Sequence, residues 1–440
     1  MTAGKSAQCP CLLIAAPASG SGKTTVTAAL ARWHTRQGRR VRVFKAGPDF
    51  IDPMILRQAC GCPVYSLDLG LMSEEHCRAL LHRAAAEADL ILVEGVMGLF
   101  DGTFSAALIA RTFDLPVAVI VDARAMAETF AAVVLGLTRT DPELKVWGCI
   151  ANRVASPRHG DMVRDGVDRY LGGSVPWLGA IPANPAIGFA ERHLGLVQAR
   201  EIQDLDAVLD AAADTLNGLP LTEPPPVVTF SAPARDADEA THSRALAGKT
   251  VAVAQDAAFS FVYAANLDFL REQGAELVFT SPLGDRALPA CDVLYLPGGY
   301  PELHARELEE NRDYIDSVRA FGGRILAECG GMIYLSEAII LPDGGEFSLC
   351  GLLPLRTQLQ ERLQAIGWQH YTGDKGKLLA HSFHYSSTQQ SGEIADIRQA
   401  QTHSGQPGEA IYRCGGITAS YLHWYFPSNP AAAIDLLLAG

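Results

Sequence analysis

Two groups of residues in this 440-residue chain have types and spacings that could do chemistry. The first is Gly20-Ser21-Gly22-Lys23-Thr24-Thr25, between the apolar run Cys11–Ala16 and the helix-like stretch Val26–Trp33. Strand, glycine-rich loop, helix is the setting in which backbone N–H groups turn inward around phosphate. Gly20, Gly22 and Thr25 shape the loop, Lys23 meets the outer phosphates, and the Thr24 hydroxyl can ligate Mg²⁺. The strict G-x-x-x-x-G-K-[ST] pattern is missed, because Pro17 stands where its first glycine would fall. A plain glycine-rich turn is the competing reading. The second group is Ala327-Glu328-Cys329-Gly330-Gly331, which has the small-x-nucleophile-x-small form of a nucleophile elbow. It predicts Cys329 at the start of a helix, where the dipole favours thiolate. His423 is the economical general base for it. The turn Leu296-Pro297-Gly298-Gly299 offers the N–H groups of Gly298 and Gly299 as an oxyanion hole.

Carboxylates follow the ends of predicted strands. Glu94 closes the run Leu90–Val93 and precedes a glycine-rich turn, a position suited to holding Mg²⁺ beside a phosphate loop. In Lys45-Ala46-Gly47-Pro48-Asp49-Phe50-Ile51-Asp52, Lys45 ends another strand. It could stabilise a transferring phosphoryl group, with Asp49 as a second metal ligand and Asp52 in the same stiff loop.

These residues need elements to position them. From 11 to about 217, β-rich runs at 41–45, 88–94, 116–122, 146–152 and 175–181 alternate with helical stretches at 73–87, 124–137, 157–171 and 204–216. Continuous apolar strands separated by helices predict a parallel sheet covered on both faces, with ligands beyond the carboxyl ends. Residues 218–247 are rich in proline and charge and read as a linker. A second β/α series follows, with strands at 250–254, 275–279, 293–296 and 323–327 and a helix at 260–273. The expected fold class is α/β: a phosphate-loop domain over 1–217, the linker, and a second α/β domain over 248–440.

Bulk properties agree with an enzyme of small molecules. A net charge of −13 argues against a general nucleic-acid or membrane-surface binder. No apolar run approaches a membrane span and the first residues lack a signal peptide's apolar core, so the expected setting is cytoplasmic. The ten cysteines include no C-x-x-C pair and read mostly as buried small apolar residues.

The motifs together resemble the cobyrinic acid a,c-diamide synthases, glutamine- and ATP-dependent enzymes of the cobalamin pathway. The matching stretches are Ala18–Thr25, Lys45–Asp52, Glu94–Gly102, Glu191–Leu196, Pro297–Leu303, Ala327–Met332 and Ala419–His423, spread over nearly the whole chain in the expected order. The front is similar to dethiobiotin synthetase and the back to class I glutamine amidotransferases. The resemblance implies that ATP phosphorylates a ring carboxylate and that Cys329 releases ammonia from glutamine. Ammonia then forms the amide, at the c and a positions in turn. Substrates are therefore ATP, glutamine and a tetrapyrrole polycarboxylate, with Mg²⁺ as cofactor and a homodimer as one assembly allowed. By the same resemblance Asp101 stands near the reacting carboxylate and Asn152 reads adenine. Asp52, Glu191, His193 and His384 become candidates for the ring substrate.

Two departures qualify the match. Many class I amidotransferases carry Glu two residues after the histidine; here that residue is Tyr425, which leaves the group orienting His423 unassigned. The family's Gly-His-Glu-Phe-His-Tyr-Ser stretch reads Ala380-His381-Ser382-Phe383-His384-Tyr385-Ser386. A sister activity on Ni-sirohydrochlorin or of the cobyric acid synthase type is the nearest alternative. A non-catalytic nucleotide switch is the alternative from another class.

Overall fold

The computed structural model describes residues 6–189, 191–192, 195–232 and 244–438. The chain divides into two compact units, residues 1–236 and 237–440.

Unit one contains β1 (Ala7–Ala15), α1 (Lys23–Arg36), β2 (Val41–Ala46), α2 (Asp52–Cys60), β3 (Tyr65–Leu67), α3 (Glu74–Glu87) and β4 (Leu90–Glu94). It continues with α4 (Ala106–Thr112), β5 (Val117–Asp122), α5 (Thr129–Thr140), β6 (Val146–Val154), α6 (Pro157–Leu171) and β7 (Trp177–Pro182). A short pair, β8 (Glu191–Arg192) and β9 (Gly195–Leu196), precedes α7 (Leu205–Asp214) and β10 (Val227–Phe230). The sheet order is β3-β2-β4-β1-β5-β6-β7. Every pairing along that path is parallel, as the continuous apolar runs predict. The central strand is buried from Cys11 through Ala15 because helices cover both faces. Leu12, Ile14, Leu30, Val43, Leu92, Ile120 and Leu209 share one side's core.

Local signals set the helix starts. Ser73 caps α3 by accepting the His76 N–H, and Glu74 and Glu75 lie in its first turn. Ser156 caps α6 in the same way, with Pro157 following it. α5 begins at Thr129, later than the predicted 124, because Ala123–Glu128 form turns held by the Met126 N–H to Ala123 carbonyl bond and its successors. Within the expected linker, β10 pairs antiparallel with Ala7–Pro10 and extends the sheet of unit one. Residues 233–243 of that stretch lie outside the described ones.

Unit two contains β11 (Thr250–Ala254), α8 (Ala264–Glu272), β12 (Glu276–Thr280), β13 (Val293–Leu296), α9 (Ala305–Glu310), α10 (Arg312–Arg319), β14 (Arg324–Glu328) and α11 (Gly330–Leu335). β15 (Ala338–Ile340), β16 (Glu346–Ser348), β17 (Leu355–Leu359) and β20 (Ser386–Gln390) form a small sheet. β18 (Ala365–Gly373), β19 (Gly376–His384), β21 (Asp396–Thr402), β22 (Pro407–Cys414), β23 (Ile417–Ser420) and β24 (His423–Trp424) complete the large one, and α12 (Pro430–Leu438) follows. Its order is β12-β11-β13-β14-β23-β22-β21-β18-β19-β24. The half up to β23 is parallel and the rest antiparallel. Strand alternation divides the core: Ala252, Ala254, Leu294 and Leu296 face one layer, and Val251, Val253, Val293 and Tyr295 the other. The helix expected at 260–273 starts at Ala264, because Ser260 and Phe261 instead donate to the Gly298 carbonyl.

Candidate active sites

In unit one the strand order gathers the chemistry at the carboxyl end of the sheet. Ile14 of β1 lies opposite Glu94 of β4, and Glu94 lies opposite Lys45 of β2. Gly22 caps α1 at φ 94°, a left-handed conformation suited to glycine. A Cβ there would also collide with Nδ2 of Asn152, which donates to the Ser21 carbonyl at 2.9 Å. Arg153 adds a bond to the Gly20 carbonyl at 2.7 Å and an ion pair with Asp122 at 2.7 Å. The end of β6 thus holds the phosphate loop from the side. Ala18, Ser19 and Gly20 are exposed, so the loop's outer face is open.

Lys23 Nζ donates to the Met97 carbonyl at 2.6 Å and the Ala18 carbonyl at 3.3 Å. Burial, then the nearby Lys45 charge, pulls its amine down to about 8. A bound anion would push it up again and hold the ammonium form. The Thr24 hydroxyl donates to Glu94 Oε1 at 2.7 Å. Lys45, 2 % exposed, sits 2.6 Å from Asp52, 2.9 Å from Glu94 and 3.8 Å from Asp49. Against the cost of burial, the Asp52 and Glu94 carboxylates hold Lys45 above its ordinary range. Glu94 is fully buried, and burial pushes its carboxyl up. Among the described residues its Oε2 has no hydrogen-bond partner. Asp49 Oδ1 accepts the N–H groups of Ile51 and Asp52 and so fixes the entry to α2.

Asp101 is exposed and accepts the Gly98 N–H at 2.9 Å, which shapes the turn after β4. Glu191 pairs with Leu196 across the β8–β9 ladder. Its side chain and the whole of His193 lie outside the described residues. Among the described residues no three His, Cys, Asp or Glu side chains form a metal cage. The donors fit a magnesium ion nonetheless. Mg²⁺ binds through one or two protein oxygens plus phosphate and water, and the Thr24 hydroxyl beside the orphaned Glu94 oxygen supplies such a pair.

In unit two, β13, β14 and β23 are neighbours, with Leu296 opposite Ala327 and Glu328 opposite Ser420. The residues just past these strand ends are Gly298 and Gly299, Cys329, and the approach to His423. Cys329 has φ 45° and ψ −105°, strained for a residue with a Cβ. Its N–H donates to the Ser420 carbonyl at 2.7 Å. A Cβ on Gly298 would collide with the His423 ring and lie 3.3 Å from Cys329 Cβ. The thiol-bearing carbon and the imidazole therefore meet at Gly298, with no room there for a side chain. A Cβ on Gly299 would strike the Ala258 carbonyl, and one on Gly330 would come within 3.0 Å of the Gly299 nitrogen. The predicted oxyanion turn lies against the elbow.

One expectation is corrected. The helix after Cys329 has six residues, and burial, then the Glu302 carboxyl, pushes the thiol well up instead of toward thiolate. Burial outweighs a short helix's dipole. His423 is 1 % exposed, and burial, then His381 and His384, pulls it down to about 3. Burial thus disfavours the charged form of both the thiol and the imidazole. His384 Nε2 meets Glu409 Oε1 at 2.9 Å, Ser382 donates to the same oxygen at 2.8 Å, and the His384 ring stacks on Tyr421 at 3.7 Å. The sequence does not single out Glu409, which reaches His384 only through strand pairing, or Glu328, which stands at the elbow's variable position. A cavity of about 660 Å³ lined by Lys249, Asp292 and Arg324 opens at the amino ends of β11, β13 and β14, the opposite end from Cys329.

Two family models match the chain: a CobQ/CobB/MinD/ParA nucleotide binding domain over residues 12–196 and a CobB/CobQ-like glutamine amidotransferase domain over residues 250–431. The chain is 53 % identical to the hydrogenobyrinate a,c-diamide synthase of Pseudomonas aeruginosa over 434 residues, covering 98 % of each. It is 52 % identical to that of Stutzerimonas stutzeri, covering 98 % of this chain and 99 % of the relative. Identity to the cobyrinate a,c-diamide synthase of Herminiimonas arsenicoxydans is 48 %, covering 96 % of this chain and 95 % of the relative.

Proposed function

Because the chain belongs to the cobyrinate and hydrogenobyrinate a,c-diamide synthase family, we propose that it amidates the a and c side-chain carboxylates of such a ring with glutamine nitrogen and ATP. The observation that carries the reading is full-length identity to these enzymes. The two clusters described above supply the parts the reaction requires.

A carboxylate does not react with ammonia until one oxygen becomes a leaving group. In unit one, Gly20, Gly22, Lys23 and Thr25 bind the triphosphate, and Asn152 reads the adenine. Lys45 meets the charge that develops as the γ-phosphoryl group moves to the substrate carboxylate, which gives an acyl phosphate and ADP. Thr24, Glu94 and Asp49 would hold Mg²⁺, which when bound neutralises phosphate charge. By the family resemblance Asp101 serves the reacting carboxylate and Asp52, Glu191 and His193 serve recognition of the ring, while His384, bonded to Glu409, is kept with the cluster of unit two. In unit two, His423 takes the Cys329 proton, sulfur attacks the glutamine amide carbon, and Gly298 and Gly299 stabilise the oxyanion. The proton passes to the departing nitrogen as ammonia, and water hydrolyses the thioester to glutamate. Ammonia displaces phosphate from the acyl phosphate. The division of labour places ATP chemistry in 1–217 and glutamine chemistry in 248–440, and we assign the reaction to the cytoplasm, where ATP and glutamine are at hand.

Mass spectrometry of the product made by the full chain with ATP, Mg²⁺ and glutamine tests this. Two amides per ring are expected on cobyrinate or hydrogenobyrinate. Turnover of Ni-sirohydrochlorin alone, or amidation at other side chains, would overturn it.

A further inference from the structure

Glu328 immediately precedes the nucleophile and is 1 % exposed. Its Oε1 accepts the Trp424 N–H at 3.2 Å, and its Oε2 accepts the Tyr295 hydroxyl at 2.9 Å. The same Oε2 lies 3.9 Å from Nδ1 of His423. One carboxyl thus grips the backbone just past the histidine and faces its ring. Resting on the glutaminase reading of this site, we infer that Glu328 is the positioning acid of His423. It accepts Nδ1–H as the ring closes on it and leaves Nε2 to take the Cys329 proton.

The distance must shorten by about 1 Å to reach a hydrogen bond, the kind of tightening that catalytic contacts undergo when substrate binds. Proton bookkeeping closes. The thiol proton goes to Nε2, the imidazolium keeps Nδ1–H against the carboxylate, and Nε2–H leaves with the ammonia; Glu328 ends as it began. The other ionisable groups around the ring act differently. His381 is its register partner on β19, and His384 lies on the same strand. Either of them, if charged, would oppose an imidazolium, while Glu302, Glu409 and Glu328 itself push the thiol up. Burial raises the Glu328 carboxyl and lowers the imidazole, so the pair that works, an ionised carboxyl beside a neutral ring, is the form present above the acid limb.

The test is the pH profile of glutamate release by the full chain. In Glu328→Gln the amide still accepts a hydrogen bond but carries no charge. The glutaminase kcat should fall about 100-fold with KM for glutamine within about twofold, and the acid limb of kcat/KM should move to lower pH. Tyr295→Phe removes a donor that stabilises the carboxylate, so its acid limb should move to higher pH. Opposite shifts are what a merely structural role would not give. A wild-type kcat and unmoved limb in Glu328→Gln, or limbs that move the same way in both variants, would overturn the inference. Glutaminase activity surviving in Cys329→Ala would instead overturn the reading beneath it.

Discussion

The two sites differ in how they handle charge. In unit one, Lys45 is buried among Asp49, Asp52 and Glu94, and Lys23 waits on backbone carbonyls. In unit two, Cys329 and His423 are both driven toward their neutral forms by burial. A site that receives a polyanion can afford standing charges, because the ligand completes their compensation. On the proposed reading unit two makes ammonia, and a buried, water-poor setting suits that product because free ammonia is mostly protonated in neutral water.

The strongest break of this comparison is Cys329→Ala. Glutamine-driven amidation should fall at least about 10⁴-fold, while amidation fed with ammonium salts persists, since the nucleophile serves only unit two. Paired assays with the two nitrogen sources decide it; loss of both would mean the sites are not separable. Next is Lys23→Ala, which should cut turnover about 10³-fold from either source because it removes charge from the phosphoryl transition state. Normal ammonia-driven turnover in that variant would remove the phosphate-loop assignment.

The same contrast explains what could be read from the sequence. Unit one's site is legible because each residue ends or follows a parallel strand. Apolar runs closing on Lys45, Glu94 and Asn152 announce both the strand and the ligand end. Even there, the carbonyl of Met97 under Lys23 and the bond from Arg153 to the loop depend on tertiary approach, which no spacing encodes. In unit two the elbow and the Gly-Gly turn are local and were legible, and His423 could be named from its motif. Its surroundings could not. The antiparallel pairing that sets His381 opposite His423 joins strands about 40 residues apart in sequence, and Glu409 reaches His384 from β22. The thiolate expectation failed because burial depth is a property of the packed fold.

Lys45→Met separates charge compensation from catalysis. The substitution leaves Glu94 and Asp52 buried beside an apolar chain. Breaking such a cluster by removing one partner costs about 3–5 kcal/mol. Urea unfolding should show that loss in unit one, along with loss of amidation from both nitrogen sources. An unchanged midpoint would mean the carboxylates are already neutral or solvated.

The smallest expected effect tests the neutral character of unit two. His381 is 6 % exposed, and burial alone pulls its imidazole down to about 4. In the unfolded chain it titrates near 6.5. Between these values the unfolded state binds the extra proton, so stability is fully present above about 6.5 and drains away as pH falls toward 4. His381→Phe cannot take that proton. Between pH 6.5 and 5 the wild-type chain should therefore lose about 1–2 kcal/mol more than the variant, read from urea midpoints at each pH. Its Nδ1 is buried without a hydrogen-bond partner among the described residues, so the substitution removes an unsatisfied polar atom and should not itself unfold the unit. Parallel pH dependences in the two proteins would mean that His381 is charged or solvated in the fold, and the picture of a dry, uncharged glutaminase site would lose its second histidine.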